Sequence, residues 1–213
     1  MIAPNMGTML AYIFIEAPLK KKDLKNILMQ HIDSTFNSIS VDGDTSTSDT
    51  IMLFSTGLKN PKIIMNNNLL NKISARVYEV MLNLSKQIVS DGEGISKLIE
   101  VTVSKAKNEA QASNVAFSIA ESTLVKTAIA GEDANWGRIV MAVGKSGENV
   151  VANKLQVKIG DHIVAEQGKA AKSYNEKEVK DYMKWDSINI EVNLNIGSAS
   201  YTVYTCDFTH DYI

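Results

Sequence analysis

The chain has one cysteine, Cys206, among 213 residues, so it can form no intrachain disulfide framework and no thiol pair or cluster for zinc. A reducing compartment is the simplest fit. Proline is almost as scarce, with three in all, and no Gly/Ser-rich stretch interrupts the chain; no domain boundary, internal repeat or low-complexity segment is visible. No run approaches the roughly 18 apolar residues of a membrane span, and the N-terminus lacks the basic flank and apolar segment of a signal peptide. We therefore expect a cytoplasmic protein with no membrane partner. Charge of one sign is not in excess: a formal net charge of -2 and a pI near 5.9 make no electrostatic case for nucleic acid. A Walker loop, a dinucleotide fingerprint, a GxSxG elbow and an HExxH helix are all missing. His31, His162 and His210 lie on separate segments, so a histidine triad would need long-range convergence.

What is present is an ordinary globular composition, 45% hydrophobic and 22% charged. Residues 9–15 (MLAYIFI) are apolar on both alternating faces, as in a strand covered on both sides. Residues 19–32 place Leu24, Ile27, Leu28 and His31 at helical spacing behind the solvated run Lys20, Lys21, Lys22. Residues 41–50 (VDGDTSTSDT) read as a loop into a second buried strand at 51–54. Residues 68–90 carry the longest helical stripe, from Leu69 to Ile88. A strand at 98–103, a helix at 109–121 and a short helix at 139–143 follow. Residues 124–138 are too mixed for simple periodicity. The last third reads as a hairpin at 155–165 about Gly160 and Asp161, a short helix at 175–185 capped by Asn175, and two strands. Residues 188–196 have the cleanest period-two pattern, and a turn at Gly197 leads into 201–205. Doubly covered strands with singly amphipathic helices imply helix layers outside sheet layers.

Three places could carry chemistry. Gly7 and Thr8 precede the first strand; a threonine that becomes N-terminal by cutting the bond before it supplies both a hydroxyl nucleophile and, in its own α-amine, a base. From these residues alone the plainer alternative, a β-branched residue opening a strand, stands ahead. Glu93, between Gly92 and Gly94, is a carboxylate with little steric cover that could meet a substrate ammonium, or a solvated turn residue. Trp136 and Arg138 could be substrate groups, but a buried Trp and a paired Arg are commoner. A calcium loop opening at Asp42 fails, since its sixth and twelfth positions hold Thr47 and Leu53 instead of Gly and Glu.

Taken together, MIAPNMGTMLA at 1–11, VDGDTSTSD at 41–49 with DGEG at 91–94, and LVKTAIAGEDANWGR at 124–138 resemble the glutamate N-acetyltransferase/ornithine acetyltransferase family of arginine biosynthesis. The resemblance is collinear along nearly the whole chain. It implies an α+β class, a layered αββα sandwich similar to that of the self-processing P1-type aminopeptidases. It implies self-cleavage between Gly7 and Thr8, so that residues 1–7 end an α segment and residues 8–213 form a single-domain β chain, the two chains assembling as an α2β2 heterotetramer. By the same resemblance Thr8 is the catalytic nucleophile and a substrate contact. It takes the acetyl group of N2-acetylornithine as an acetyl-threonine ester, releases ornithine and passes the acetyl group to L-glutamate. Glu93 matches the family glutamate that contacts the amino-acid substrate. No metal or cofactor is implied, with acetyl-CoA a candidate second donor.

Three departures bear on this expectation. The α segment, which carries the family's oxyanion-stabilising Thr-Gly pair and a substrate-binding lysine, is almost wholly absent, and loss of an oxyanion donor costs about 100- to 1000-fold in rate. Gly7 stands where alanine is commoner in the family. The chain stops at Asp211, Tyr212 and Ile213, where the family continues into a tail that supplies an asparagine and a Ser/Thr to the substrate site. Two alternatives stay open: an N-terminal-threonine amidase or aminopeptidase of the same fold, and a non-catalytic fragment or assembly subunit.

Overall fold

In the computed structural model, the described residues are 9–44, 46, 48–57 and 63–212. Thr8 and Gly7, and with them the cleavage site, lie outside the described residues. In chain order, β1 (Leu10–Ile15) leads through α1 (Lys21–His31) and a 3-10 turn (Phe36–Ser38) to β2 (Thr50–Ser55). The long α2 (Asn67–Ser90) and β3 (Leu98–Ala106) come next, then α3 (Glu109–Ala120), α4 (Thr123–Ala130) and α5 (Trp136–Lys145). The last part holds β4 (Gln156–Ile159), β5 (His162–Glu166), β6 (Lys169–Ala170), α6 (Glu176–Tyr182), β7 (Ser187–Asn193) and β8 (Ala199–Cys206).

Among the described residues these strands form two sheets. The larger runs β6-β5-β4-β7-β3-β8, with β3 and β7 parallel and its other pairs antiparallel. Alternation in β3 turns Ile99, Val101 and Val103 into the main core, in register with Ile188, Ile190 and Val192 of β7. Ala112, Val115, Ala116 and Ile119 of α3 meet that face, and the small residues let helix and sheet approach closely. Burying a side chain such as Ile190 contributes roughly 1.5–3 kcal/mol. The hairpin at Gly160 forms as its sequence suggests: the glycine has φ +58°, and a Cβ there would lie 2.8 Å from the Tyr182 ring. The expected cap at Asn175 is also present, its side chain accepting from the Lys177 amide.

The smaller sheet pairs β1 with β2 in parallel, Ile13 opposite Leu53. Ala11 and Ile13 face Ile27 of α1 and Val77 and Met81 of α2. The same stripe of α2 continues through Ser85 to Val89, which packs with Tyr204 and Cys206 of β8, so one helix spans both sheets.

The α+β, helix-and-sheet layered class expected from the sequence is what the structure has. Expectations for both strands of the smaller sheet are corrected: β2 is not a buried strand, since Met52 and Phe54 are each 37% exposed. β1 is not covered on both sides, because Leu10, Tyr12 and Phe14 are 53%, 49% and 66% exposed and no third strand or helix among the described residues lies over them. The mixed stretch 124–138 is helical at both ends. A turn at 131–135, with Glu132 at φ +54°, breaks its periodicity into the separate helices α4 and α5.

Candidate functional site

α2 ends at Ser90, where the Asp91 amide donates to Gln87 O and Val89 O, and the chain then turns through Gly92, Glu93 and Gly94. Gly94 sits at φ +67°, and an added Cβ would fall 2.4 Å from the carbonyl carbon of Asp211. Only glycine permits both the left-handed backbone and that approach. Glu93 itself is exposed.

The turn is held from the C-terminal side. Asp207 accepts from the Ser96 amide at 2.9 Å, the Lys97 amide at 2.9 Å and the Ser96 hydroxyl at 2.5 Å. The Thr209 hydroxyl donates to Gly94 O. The Tyr212 hydroxyl donates to Asp42 Oδ2 at 2.8 Å, and burial together with the Asp42 charge pushes that phenol up to about 12. Asp42 belongs to the loop of the VDGDTSTSD motif, which is itself tied to β8: the Ser40 amide donates to Tyr204 O at 3.0 Å. Two motifs 50 residues apart are thus brought to the two sides of the segment 207–212.

Beyond that loop lies a cavity of about 610 Å³, lined by Met9, Asn37, Ser40, Gly43, Asp44, Asp49 and Glu121 over an apolar floor that includes Phe36, Ile51, Ile88 and Phe117. Met9, the residue bonded to Thr8, is fixed there by β2. Its amide donates to Asp49 Oδ1 at 3.2 Å and its carbonyl accepts from the Thr50 amide at 2.9 Å. Glu121 is one of three carboxylates lining the cavity, with Asp44 and Asp49; burial raises its pKa, and the Ser40 hydroxyl at 3.4 Å opposes the rise. Glu93 is not among the residues lining this cavity; the link between them runs through Gly94, Tyr212 and Asp42.

A larger groove, about 910 Å³, lies on the polar face of the six-stranded sheet. Its carboxylates are largely matched, Glu100 by Lys86 at 3.4 Å, Glu191 by Lys158 at 3.3 Å and Asp181 by Lys184 at 2.7 Å. The cavity beside Met9 is the better candidate, because it joins the end of the chain that carries Thr8 to the loop behind Glu93. Among the described residues no group of three or more His, Cys, Asp or Glu side chains is placed to hold a metal ion.

Trp136 and Arg138 take the commoner structural roles. Trp136 packs on the main core, and Arg138 donates to Leu124 O at 2.8 Å and to the Thr127 hydroxyl at 3.2 Å. The residues that sequence reasoning missed are Lys126, Asp207, Asp42 and Tyr212. Lys126 is 1% exposed, and its Nζ lies 2.6 Å from Thr205 Oγ1 and 2.5 Å from Cys206 O. Burial pushes this lysine below its usual pKa, opposed by Cys206, Asp207 and Asp42; burial likewise pushes the Cys206 thiol up. A signal existed: a lysine flanked by Val125, Ala128 and Ile129 sits inside an apolar helical stripe.

Fold and site together define a layered α+β protein whose first strand follows a Gly-Thr pair and whose long helix ends in a clamped, glycine-flanked acid. The ArgJ family model matches residues 1–213, and the chain belongs to the ArgJ family. It is similar to the arginine biosynthesis bifunctional protein ArgJ of Brucella melitensis biotype 1, with 47% identity over 218 residues, which is 100% of this chain and 53% of the relative. With the same-named protein of Bradyrhizobium diazoefficiens the identity is 45%, over the same shares. The crystal structure of the arginine biosynthesis bifunctional protein ArgJ from Bacillus halodurans superposes with a TM-score of 0.89 and 37% identity, covering 96% of this chain and 97% of that chain. The chain spans about half the length of the curated relatives it matches. Among the described residues no helix is long and apolar enough to cross a membrane.

Proposed function

We propose that this chain is the nucleophile-bearing half of an acetyltransferase of arginine biosynthesis, one that moves the acetyl group of N2-acetylornithine to L-glutamate. The observation that carries the reading is the family match over residues 1–213, which includes both the Gly7-Thr8 pair and the turn of Glu93. In this reading the Thr8 hydroxyl attacks the Gly7 carbonyl, the Gly7-Thr8 C–N bond breaks to free the Thr8 amine and leave an ester, and water hydrolyses that ester to release the Gly7 carboxylate and restore the Thr8 hydroxyl. Thr8 Oγ1 then attacks the acetyl carbonyl while the α-amine takes the hydroxyl proton and passes it to the departing ornithine nitrogen. Glutamate's amine attacks the acetyl-threonine ester, N-acetylglutamate leaves, and the threonine hydroxyl is restored. Glu93 offers its exposed carboxylate to the ammonium of the amino-acid substrate, a charge-assisted contact.

A divided polypeptide accounts for two observations. The solved Bacillus halodurans chain is matched over 97% of its length, whereas the curated relatives are matched over about half of theirs. Tyr12, Phe14 and Phe54 form a stacked, exposed aromatic row on a two-stranded sheet with no third strand among the described residues. An α segment from the same precursor, supplying the oxyanion donors, covers that row, and two such pairs make the α2β2 heterotetramer. The assembly works in the cytoplasm. Acetyl-CoA as a second donor is motivated by the word bifunctional in the relatives' names.

The test uses the full-length protein with N2-acetylornithine and either glutamate or water as acceptor. Transfer to glutamate that outruns hydrolysis, and that Thr8→Ala abolishes, is the expected result. Hydrolysis alone would favour the amidase alternative, and transfer surviving in Thr8→Ala would remove the nucleophile assignment.

A further inference from the structure

A buried ammonium is costly unless partners replace its water. Lys126 has such partners, and they lie close together in sequence, at residues 205, 206 and 208, at the exit of β8. Its Nζ reaches the Thr205 hydroxyl and the Cys206 carbonyl and stands 4.6 Å from the centre of the Phe208 ring, while its own carbonyl accepts from the Phe208 amide at 3.4 Å. Asp207, between Cys206 and Phe208, is wholly buried and faces the opposite way, onto the amides of Ser96 and Lys97. Asp42 receives the Tyr212 hydroxyl at 2.8 Å.

The Glu93 turn is therefore bracketed. Its trailing side hangs on Asp207, its Gly94 packs on the backbone at Asp211, and that backbone is tied through Tyr212 to Asp42. Lys126 is the buried cation that holds residues 205–208, and it is remote in sequence from them; 79 residues separate it from Thr205.

We propose that Lys126 is the positioning residue of the Glu93 turn: it fixes residues 205–208 and with them Asp207, and through Asp207 sets where the Glu93 carboxylate stands. It does not touch substrate. The effect on substrate affinity rests on the reading of Glu93 as the group that meets the amino-acid ammonium; the effect on the turn itself does not.

The experiment compares full-length wild type with Lys126→Met and Tyr212→Phe by amide hydrogen exchange and by steady-state kinetics. In Lys126→Met the amides of Ser96 and Lys97 should exchange about tenfold faster or more, with β7 still protected, a selective loosening of one local unit. KM for glutamate should rise roughly tenfold with kcat within about twofold, the signature of lost ground-state binding. Tyr212→Phe removes one part-buried hydrogen bond and should give a smaller change of the same pattern, so it carries the test if Lys126→Met does not fold. Unchanged exchange at Ser96 and Lys97 in a folded variant would overturn the proposal, as would a fall in kcat with KM unchanged. Faster exchange in a protein whose wild type transfers no acetyl group would uphold the clamp and refute the proposed function instead.

Discussion

Val101 of β3 and Phe14 of β1 are both large apolar residues on apolar strands, yet the first is completely buried and the second is 66% exposed. Composition does not separate the two strands; their neighbours do. β3 lies between β7 and β8 with α3 across its inner face, all supplied by this chain. β1 has β2 on one edge, α1 and α2 on one face, and an aromatic row on the other face. An exposed apolar patch of that kind on a folded protein marks an interaction surface. One sheet is packed on its inner face by this chain, and the other leaves one apolar face exposed among the described residues.

The sharpest way to break this comparison is a cavity in the larger sheet. Ile190→Ala in the full-length protein should cost about 3–4 kcal/mol, the range for truncating a buried aliphatic side chain, read from the urea midpoint. Gly94→Ala should follow at about 2 kcal/mol or more, because alanine resists the left-handed region and its Cβ would displace the backbone at Asp211. Its exchange signature should be confined to residues 91–97 and 207–212. Phe14→Ser should change the stability of this chain by itself by less than about 0.5 kcal/mol, yet weaken capture of a separately expressed α segment by about tenfold or more, as for an interface anchor. If Phe14→Ser destabilised the chain as much as Ile190→Ala does, the two sheets would not differ as described.

The smallest effect is on pH. His31 joins α1 to α2 through Ser74 Oγ at 2.8 Å, and burial lowers its pKa below 6.5 despite that bond. With the folded pKa lowered, the unfolded chain binds the proton first. Stability is therefore full above pH 6.5 and falls as pH drops through the folded pKa. Thermal midpoints across that window should decline in wild type and decline less in His31→Gln.

Much of the larger sheet was legible in the sequence because its periodicity is local. The alternation from Ile188 to Val192 and the stripe from Leu69 to Ile88 each report one element's buried face. β1 misled because an apolar run on both alternating faces does not by itself say whether an element of this chain packs on each face. α4 was missed because the turn at 131–135 breaks the helical period within a short window. The candidate site residues come from the family motifs alone, and Gly7-Thr8 lies outside the described residues; the geometry around the turn at 91–94 was not legible. Lys126, Asp207, Asp42 and Tyr212 meet across separations that no window spans, and only the oddity of a lysine among Val125, Ala128 and Ile129 hinted at the meeting.

The central claim is that Thr8 carries the acetyl group. It is tested most directly by mass spectrometry of the full-length protein, purified after brief exposure to N2-acetylornithine without glutamate. The account predicts a chain beginning at Thr8 that bears one acetyl group as a hydroxylamine-labile ester on that residue, discharged when glutamate is added. A chain still continuous through Gly7-Thr8 that nevertheless transfers acetyl groups, or an acetyl ester on any other residue, would contradict it.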